Sequence, residues 1–251
     1  MDWLDTLRRT FFDFGAMWAV FPQLLKVGLK NTLIISLAAT AIGLVLGMIV
    51  AVMGISTSRW LRVPARVYTD VFRGLPAILT ILLIGQGLAR FSQQVFGPSP
   101  YPLGILALSL IASAYIGEIF RAGILGVDKG QLEACRALAM SYPKAMRLVV
   151  VPQGIRRMLP ALVNQFIAII KDSSLVYFLG LLASQRELFR IGQDFAANTG
   201  NASALLLAGL FYLAITVPLT HLVNAVDRRL REGRPSEDEF EIDPVVSLEG
   251  R

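Results

Sequence analysis

The sequence predicts an all-α integral membrane protein with five transmembrane helices and a folded cytoplasmic loop, and three observations predict it. Hydrophobic residues fill 55% of the 251 positions and charged residues 17%, with a mean hydropathy of +0.59; an ordinary soluble domain carries about 25% charged residues. No Asp, Glu, Lys or Arg occurs within 31–58, 91–117 or 195–226, and each stretch exceeds the ~20 residues that cross a ~30 Å hydrocarbon core. Basic residues gather in alternate connections, the asymmetry that sets membrane topology.

Taken in order, residues 1–23 form an extracytoplasmic or interfacial segment. Asp2, Asp5 and Asp13 interrupt it and no apolar run precedes a small-residue cleavage site, so it does not read as a signal peptide. Phe11, Phe12, Phe14, Trp18 and Phe21 give it an interfacial character, and Trp3, Trp18 and Trp60 all fall outside the spans, as an aromatic belt requires. The five-helix domain occupies 24–227. Its first span is 31–58, followed by Arg59, Arg62, Arg66 and Arg73; a weaker second span runs from Leu75 to about Leu88. The third is 91–117, and the connection after it, about 128–157, carries Lys129, Arg136, Lys144, Arg147, Arg156 and Arg157. The fourth, Leu159 to about Leu182, is interrupted by Lys171-Asp172; the fifth, 195–226, precedes Arg228, Arg229, Arg231 and Arg234. Connections 89–101 and 183–200 are poor in base and nearly neutral. The N-terminus is therefore expected outside, the C-terminus and the 128–157 loop in the cytoplasm. The acidic tail 228–251 reads as disordered. A net charge of +6 thus reflects topology rather than a nucleic-acid surface. The single cysteine, Cys135, excludes an internal disulfide and reads as a small apolar filler.

The 128–157 loop is more than a linker. Apolar residues at Leu132, Cys135, Leu138 and Ala139, then at Ala145, Leu148, Val149 and Pro152, have helical spacing. Two short amphipathic helices are expected, with a turn at Ser141-Tyr142-Pro143 and Pro152 ending the second. A loop that folds and offers an apolar face meets a partner.

Glu133-Ala134-Cys135, Ala139 and Val149-x-Val151-Pro152 resemble the EAA loop of ATP-binding-cassette importer permeases, whose pattern has Ala at 135 and Gly at 139. Ala139 is the important departure, because Gly there permits a tight turn that Ala restricts. Tyr68-Thr69-Asp70-Val71-Phe72-Arg73-Gly74-Leu75-Pro76, Ala114 through Gly123, Gly130-Gln131, Pro152-Gln153, Arg156-Arg157, Leu159-Pro160, Asn164-Gln165-Phe166 and Lys171 through Leu175 resemble the polar amino acid group, of histidine/glutamine/arginine type. The resemblance covers about 28–227. It implies a type I importer permease in the bacterial inner membrane. Two ATPase subunits would carry ATP and Mg and dock on the loop through Glu133, Ala134, Cys135, Ala139, Ser141, Tyr142, Pro143 and Pro152. A second permease subunit, identical or a sister chain, and an extracytoplasmic binding protein would complete the system. The chain carries no Gly-x-x-x-x-Gly-Lys-Ser/Thr loop, so no ATP hydrolysis, cofactor or metal is expected on it.

Lys171 and Asp172 are expected near mid-membrane, where a charge is costly and must face the bundle or water. One of them, or Ser173 or Ser174, contacts substrate; alternatively they form an ion pair or an Asp172-capped helix break. Glu118 pairs with Arg121 or lines the pathway. Gln86 and Asn164-Gln165 read as interhelical hydrogen-bonding groups or pathway lining. His221, alone on its helix, reads as a packed residue. The rival readings are a permease for another small solute (an organic ion or methionine) and an ion-coupled secondary transporter. Internal repeats, which many such transporters carry, are not evident here. A membrane enzyme would need a nucleophile–base or metal-ligand set, and no such set is evident.

Overall fold

The computed structural model describes residues 3–232, with side chains to 228. All regular elements among the described residues are helical: α1 (Trp3–Phe11), α2 (Phe14–Gln23), α3 (Leu29–Ile55), α4 (Arg59–Gly74), α5 (Ala77–Gly87), α6 (Ala89–Phe96), α7 (Tyr101–Leu125), α8 (Lys129–Ala137), α9 (Tyr142–Ala145), α10 (Val151–Asp172), α11 (Leu188–Thr199) and α12 (Ser203–Glu232). Single π-helical turns join α2 to α3 (Leu24–Gly28) and α9 to α10 (Met146–Val150).

Four helical runs are long and apolar enough to cross a membrane: Trp3–Ile55, Tyr101–Leu125, Tyr142–Leu179 and Ser203–Arg228. A fifth exists if α4 and α5, bent by 107° at Leu75-Pro76, count together. Four expected spans differ in their bounds, among them the fifth, 195–226, because Gly200 (φ 70°) ends α11 and the crossing helix starts at Ser203. The charge-free stretch 91–117 is not one span, because Gly97 (φ 75°), Pro98 and Pro100 end α6 and the crossing helix starts at Tyr101. The second span, α5, has 11 residues and is about 16 Å long, too short to cross alone. The fourth begins at Val151 and ends at Asp172 rather than spanning 159–182, with a 3-10 turn over Ser173–Leu179. At the C-terminus α12 continues through 228–232; the rest of the tail expected to be disordered lies outside the described residues.

The helix α7 sits at the centre, two thirds of its most apolar window buried. It runs alongside α3 with the chains in the same direction. Gly43 and Gly47 make the approach possible, since a Cβ at Gly47 would meet Ile116 Cγ2 at 2.9 Å and Gly117 N at 3.0 Å. This is a Gly-x-x-x-Gly seam, close packing in place of a hydrophobic drive that lipid does not supply. α7 and α10 run in opposite directions, with Gly123 against Met158 near one end and Gly104 against Val176 near the other. Ile35, Ala39, Ile81, Leu108, Ile116, Ile169 and Val176 form the main core. A second cluster, Val20, Leu24, Leu188, Ile191, Ala204 and Ala208, binds α2, α11 and α12. Outward residues such as Leu37, Val45, Ile49 and Val52 stay exposed, as a lipid-facing surface would be.

Candidate functional site

At the end of the bundle where α7 stops, the chain folds the expected loop. Asp128 caps α8, its Oδ1 accepting from Gly130 N at 2.7 Å. The helix then closes on a Schellman motif: Met140 N donates to Cys135 O at 3.0 Å and Ala139 N to Arg136 O at 2.9 Å. That motif puts its C′ residue in the left-handed region, and Ala139 has φ 60°, the sole positive φ of a non-glycine residue among those described. The position that carries glycine in the resembled pattern is thus the one that needs it. The turn occupies 138–141, not Ser141-Tyr142-Pro143; Ser141 precedes α9 and Pro143 lies in that helix's first turn, where its missing N–H costs nothing. Nor does Pro152 end a helix. It sits in the first turn of α10, after the π turn in which Val151 N donates to Met146 O.

The loop's apolar residues divide between two sides. Cys135, Ala145 and Val150 are buried, while Leu138 (78% exposed), Tyr142, Leu148 and Val151 face outward, as do Glu133, Ala134 and Ala139. The expected single face of Leu132, Cys135, Leu138 and Ala139 is therefore split: Cys135 holds α8 down and Leu138 is presented. Gln153 Nε2 donates to Gln131 Oε1 at 3.3 Å, tying the start of α10 to α8.

The candidate pathway residues do not come together. Glu118 lies about 10 Å from the loop end of α7. Arg121 donates to both its oxygens, Nε to Oε1 at 2.9 Å and Nη2 to Oε2 at 2.8 Å. Arg73 of α4 stands 3.7 Å from Oε2, its guanidinium 5.3 Å from the centre of the Tyr115 ring. Glu118 and Arg73 line two spaces at once: a cavity of about 220 Å³ between α3, α4 and α7, and a wider cleft of about 410 Å³ with Tyr115, Arg157, Met158 and Ala161. Lys171 and Asp172 end α10. Counting from Met158, beside Gly123, Lys171 is about 20 Å along the helix and only five residues from Val176, beside Gly104. They therefore occupy the half of the bundle far from the loop rather than its middle. Among the described residues neither enters an ion pair, and Asp172 caps nothing with its side chain. Ser173 Oγ donates to Ile170 O and Ser174 Oγ to Lys171 O, both at 2.7 Å. Gln86 is exposed at the far end, in a cavity with Ser92, Ser99 and Phe178. Asn164 and His221 are exposed on α10 and α12.

Two constellations escaped the sequence reading. Arg62, Arg66 and Arg73 read as topogenic charges, yet they share one face of α4 with Thr69; their spacing of four, three and four was the available signal. Glu187, in a connection that looked neutral, is fully buried. Its carboxylate accepts from the backbone N–H groups of Phe189 and Arg190, capping α11, and from Tyr212 Oη at 3.1 Å. Thr32 Oγ1 accepts from Leu188 N, and Asn31 Nδ2 donates to Ser184 O and Arg186 O. Together these bonds latch segment 184–190 onto α3 and α12.

Residues 43–232 match the family described as binding-protein-dependent transport system inner membrane component. The arginine transport system permease protein ArtQ of Bacillus subtilis (strain 168) is 37% identical over 219 residues, 87% of this chain and 97% of that protein. The glutamine transport system permease protein GlnP of Escherichia coli (strain K12) is 35% identical over 222 residues, 88% of this chain and 98% of that protein. A solved amino acid ABC transporter, crystallised with histidines, superposes with a TM-score of 0.75 at 32% identity, over 86% of this chain and 98% of that one.

Proposed function

Because the chain belongs to the binding-protein-dependent transport system inner membrane components, we propose that it is the permease subunit of an ATP-driven importer of polar amino acids. The observation that carries the reading is the folded loop between α7 and α10, whose Schellman turn at Ala139 presents Glu133, Ala134 and Leu138 outward. Such a face suits a separate ATPase, two copies of which would hold ATP and Mg, with this chain paired to a second permease and served by a binding protein on the opposite side. The polar amino acid substrate class rests on the two relatives and the solved transporter. For topology, α3, α7 and α12 all end, and α10 begins, at the loop side, where the basic residues gather. That side is cytoplasmic by charge bias, with the N-terminus outside and the C-terminus inside. Glu118, lining both the cavity of about 220 Å³ and the cleft of about 410 Å³ and beside Arg73 and Tyr115, is the best-placed pathway group. Gln86, Asn164, Lys171, Asp172, Ser173 and Ser174 are candidates nearer the outer mouth or along α10. The test is co-purification with the cognate ATPase, then ATP hydrolysis in liposomes with binding protein and each amino acid in turn. Stimulation by polar amino acids is expected; stimulation by none of them removes the substrate assignment.

A further inference from the structure

One face of α10 carries polar groups where a crossing helix would meet lipid. Arg157, Asn164 and Lys171 are exposed and stand seven residues apart, so two turns separate each from the next and all three share a side. Ala161 and Ala168 fill the gaps between them on that side, and the buried Ile169 and Ile170 lie across the helix. Asn164 is well inside the crossing, six residues from Met158 beside Gly123 and twelve from Val176 beside Gly104. Lipid does not solvate such a row; the outward side of α3 shows Leu37, Val45 and Val52 instead.

The row ends at the loop side in the cleft of about 410 Å³, which Arg157 and Ala161 line together with Tyr115. Its charge has one sign. Among the described residues Arg157 and Lys171 enter no ion pair, while Glu118 across the cleft has both oxygens taken by Arg121. Asp172 follows Lys171 but projects about 100° round the helix. A guanidinium fork, a carboxamide NH2 and an ammonium, each about 10 Å from the next, make a row of anion-binding groups. At that spacing a small carboxylate meets one cation at a time, which keeps its hold weak enough to be released.

We propose that this face of α10 is a wall of the transport pathway and that it engages the solute's carboxylate, passing it from Lys171 past Asn164 to Arg157. The inference rests on the transport reading and deepens it: the pathway takes carboxylate-bearing solutes whatever their side chain, excludes organic cations that lack a carboxylate, and uses Arg157 as a further pathway group. The test places a thiol on the face without touching its polar groups. Ala168→Cys and Ala161→Cys are made in a Cys135→Ala background, with Val45→Cys as the lipid-facing control, and the permease–ATPase complex is held in nanodiscs so that both sides are open. Rates of modification by an anionic and a cationic methanethiosulfonate reagent are measured with and without ATP. Ala168→Cys and Ala161→Cys are expected to react in at least one of the two states, Val45→Cys in neither. Relative to a free thiol in solution, both positions should favour the anionic reagent roughly tenfold. Lys171→Gln should remove most of that preference at the first position and Arg157→Gln at the second, while Arg156→Gln, off the face, removes neither. Reactivity no greater than that of Val45→Cys overturns the proposal, as does a charge preference equal to the free thiol's or an equal loss from Arg156→Gln. Disulfide linkage of two Ala168→Cys permeases in place of labelling would also overturn it, by seating a second copy on the face. Because labelling needs no transport, a complex whose ATPase no amino acid stimulates would remove the transport reading and leave these ratios unchanged.

Discussion

Replacing Ala139 by glycine should make the loop more stable. A Cβ in the left-handed region crowds the following carbonyl oxygen at a cost of about 1–2 kcal/mol, and Ala139 carries that cost at φ 60°. Glycine removes it but adds about 0.4–1 kcal/mol of freedom to the opened chain. The net gain is about 0.5–1 kcal/mol, concentrated in the two hydrogen bonds of the motif, Met140 N to Cys135 O and Ala139 N to Arg136 O. Native-state hydrogen exchange reads such local opening directly. In Ala139→Gly the amides of residues 139 and 140 should exchange roughly two- to fivefold more slowly, since each 1.4 kcal/mol is a factor of ten. Ala139→Val, which adds branching to the same strained backbone, should accelerate them. Exchange that is unchanged or faster in the glycine variant would refute the claim that this turn is strained.

Four further outcomes follow from the same geometry. Gly47→Leu forces apart α3 and α7, where a Cβ already meets Ile116 and the α7 backbone; a cost of about 1–3 kcal/mol should lower the thermal midpoint by several degrees, whereas Gly87→Leu, facing open space, should not. Glu187→Ala uncaps α11 and strands the Tyr212 hydroxyl, a loss of about 2–3 kcal/mol; a midpoint equal to that of Tyr212→Phe would sink the capping role. Ala134→Glu puts a bulky charge on the exposed face of α8 and should abolish ATPase co-purification with membrane insertion intact; normal transport would refute docking there. Glu118→Gln leaves Arg73 and Arg121 without their carboxylate and should reduce transport about tenfold with the ATPase still bound, an outcome that unaltered uptake would contradict.

The parts of the fold that read directly from the sequence are those where one physical rule acts alone. α3 differs from its predicted bounds by two or three residues, whereas the charge-free runs 91–117 and 195–226 announce that α7 and α12 exist but begin ten and eight residues before them, across the breaks at Gly97 and Gly200. Where two rules compete, the boundaries moved. Pro152 reads as a stop, but at the first turn of a helix proline loses no bond, and a π turn carries the chain past it. The fourth span then starts eight residues early, which moves Lys171-Asp172 from the expected middle to the far end. Arg62, Arg66 and Arg73 were visible as charge, but their common face required α4 to be recognised as a helix before its 107° bend. Glu187 gave no signal, because a lone glutamate in a neutral connection looks solvated until Thr32 and Tyr212, 155 positions before it and 25 after, are brought against that segment. Ala139 was conspicuous only through the resembled pattern; the backbone angle that explains it belongs to the folded turn.

Helical structure without a break from Tyr142 to Leu179 has a mechanical meaning. The second half of the loop and the fourth crossing are one rod of 38 residues, about 57 Å long. A rod pivoting by about 5° where Met158 lies against Gly123 sweeps its far tip at Leu179, 21 residues or about 32 Å away, through about 3 Å. A shove at the loop end, 16 residues or about 24 Å on the other side of that fulcrum, is therefore carried through the bundle and slightly enlarged at the far end.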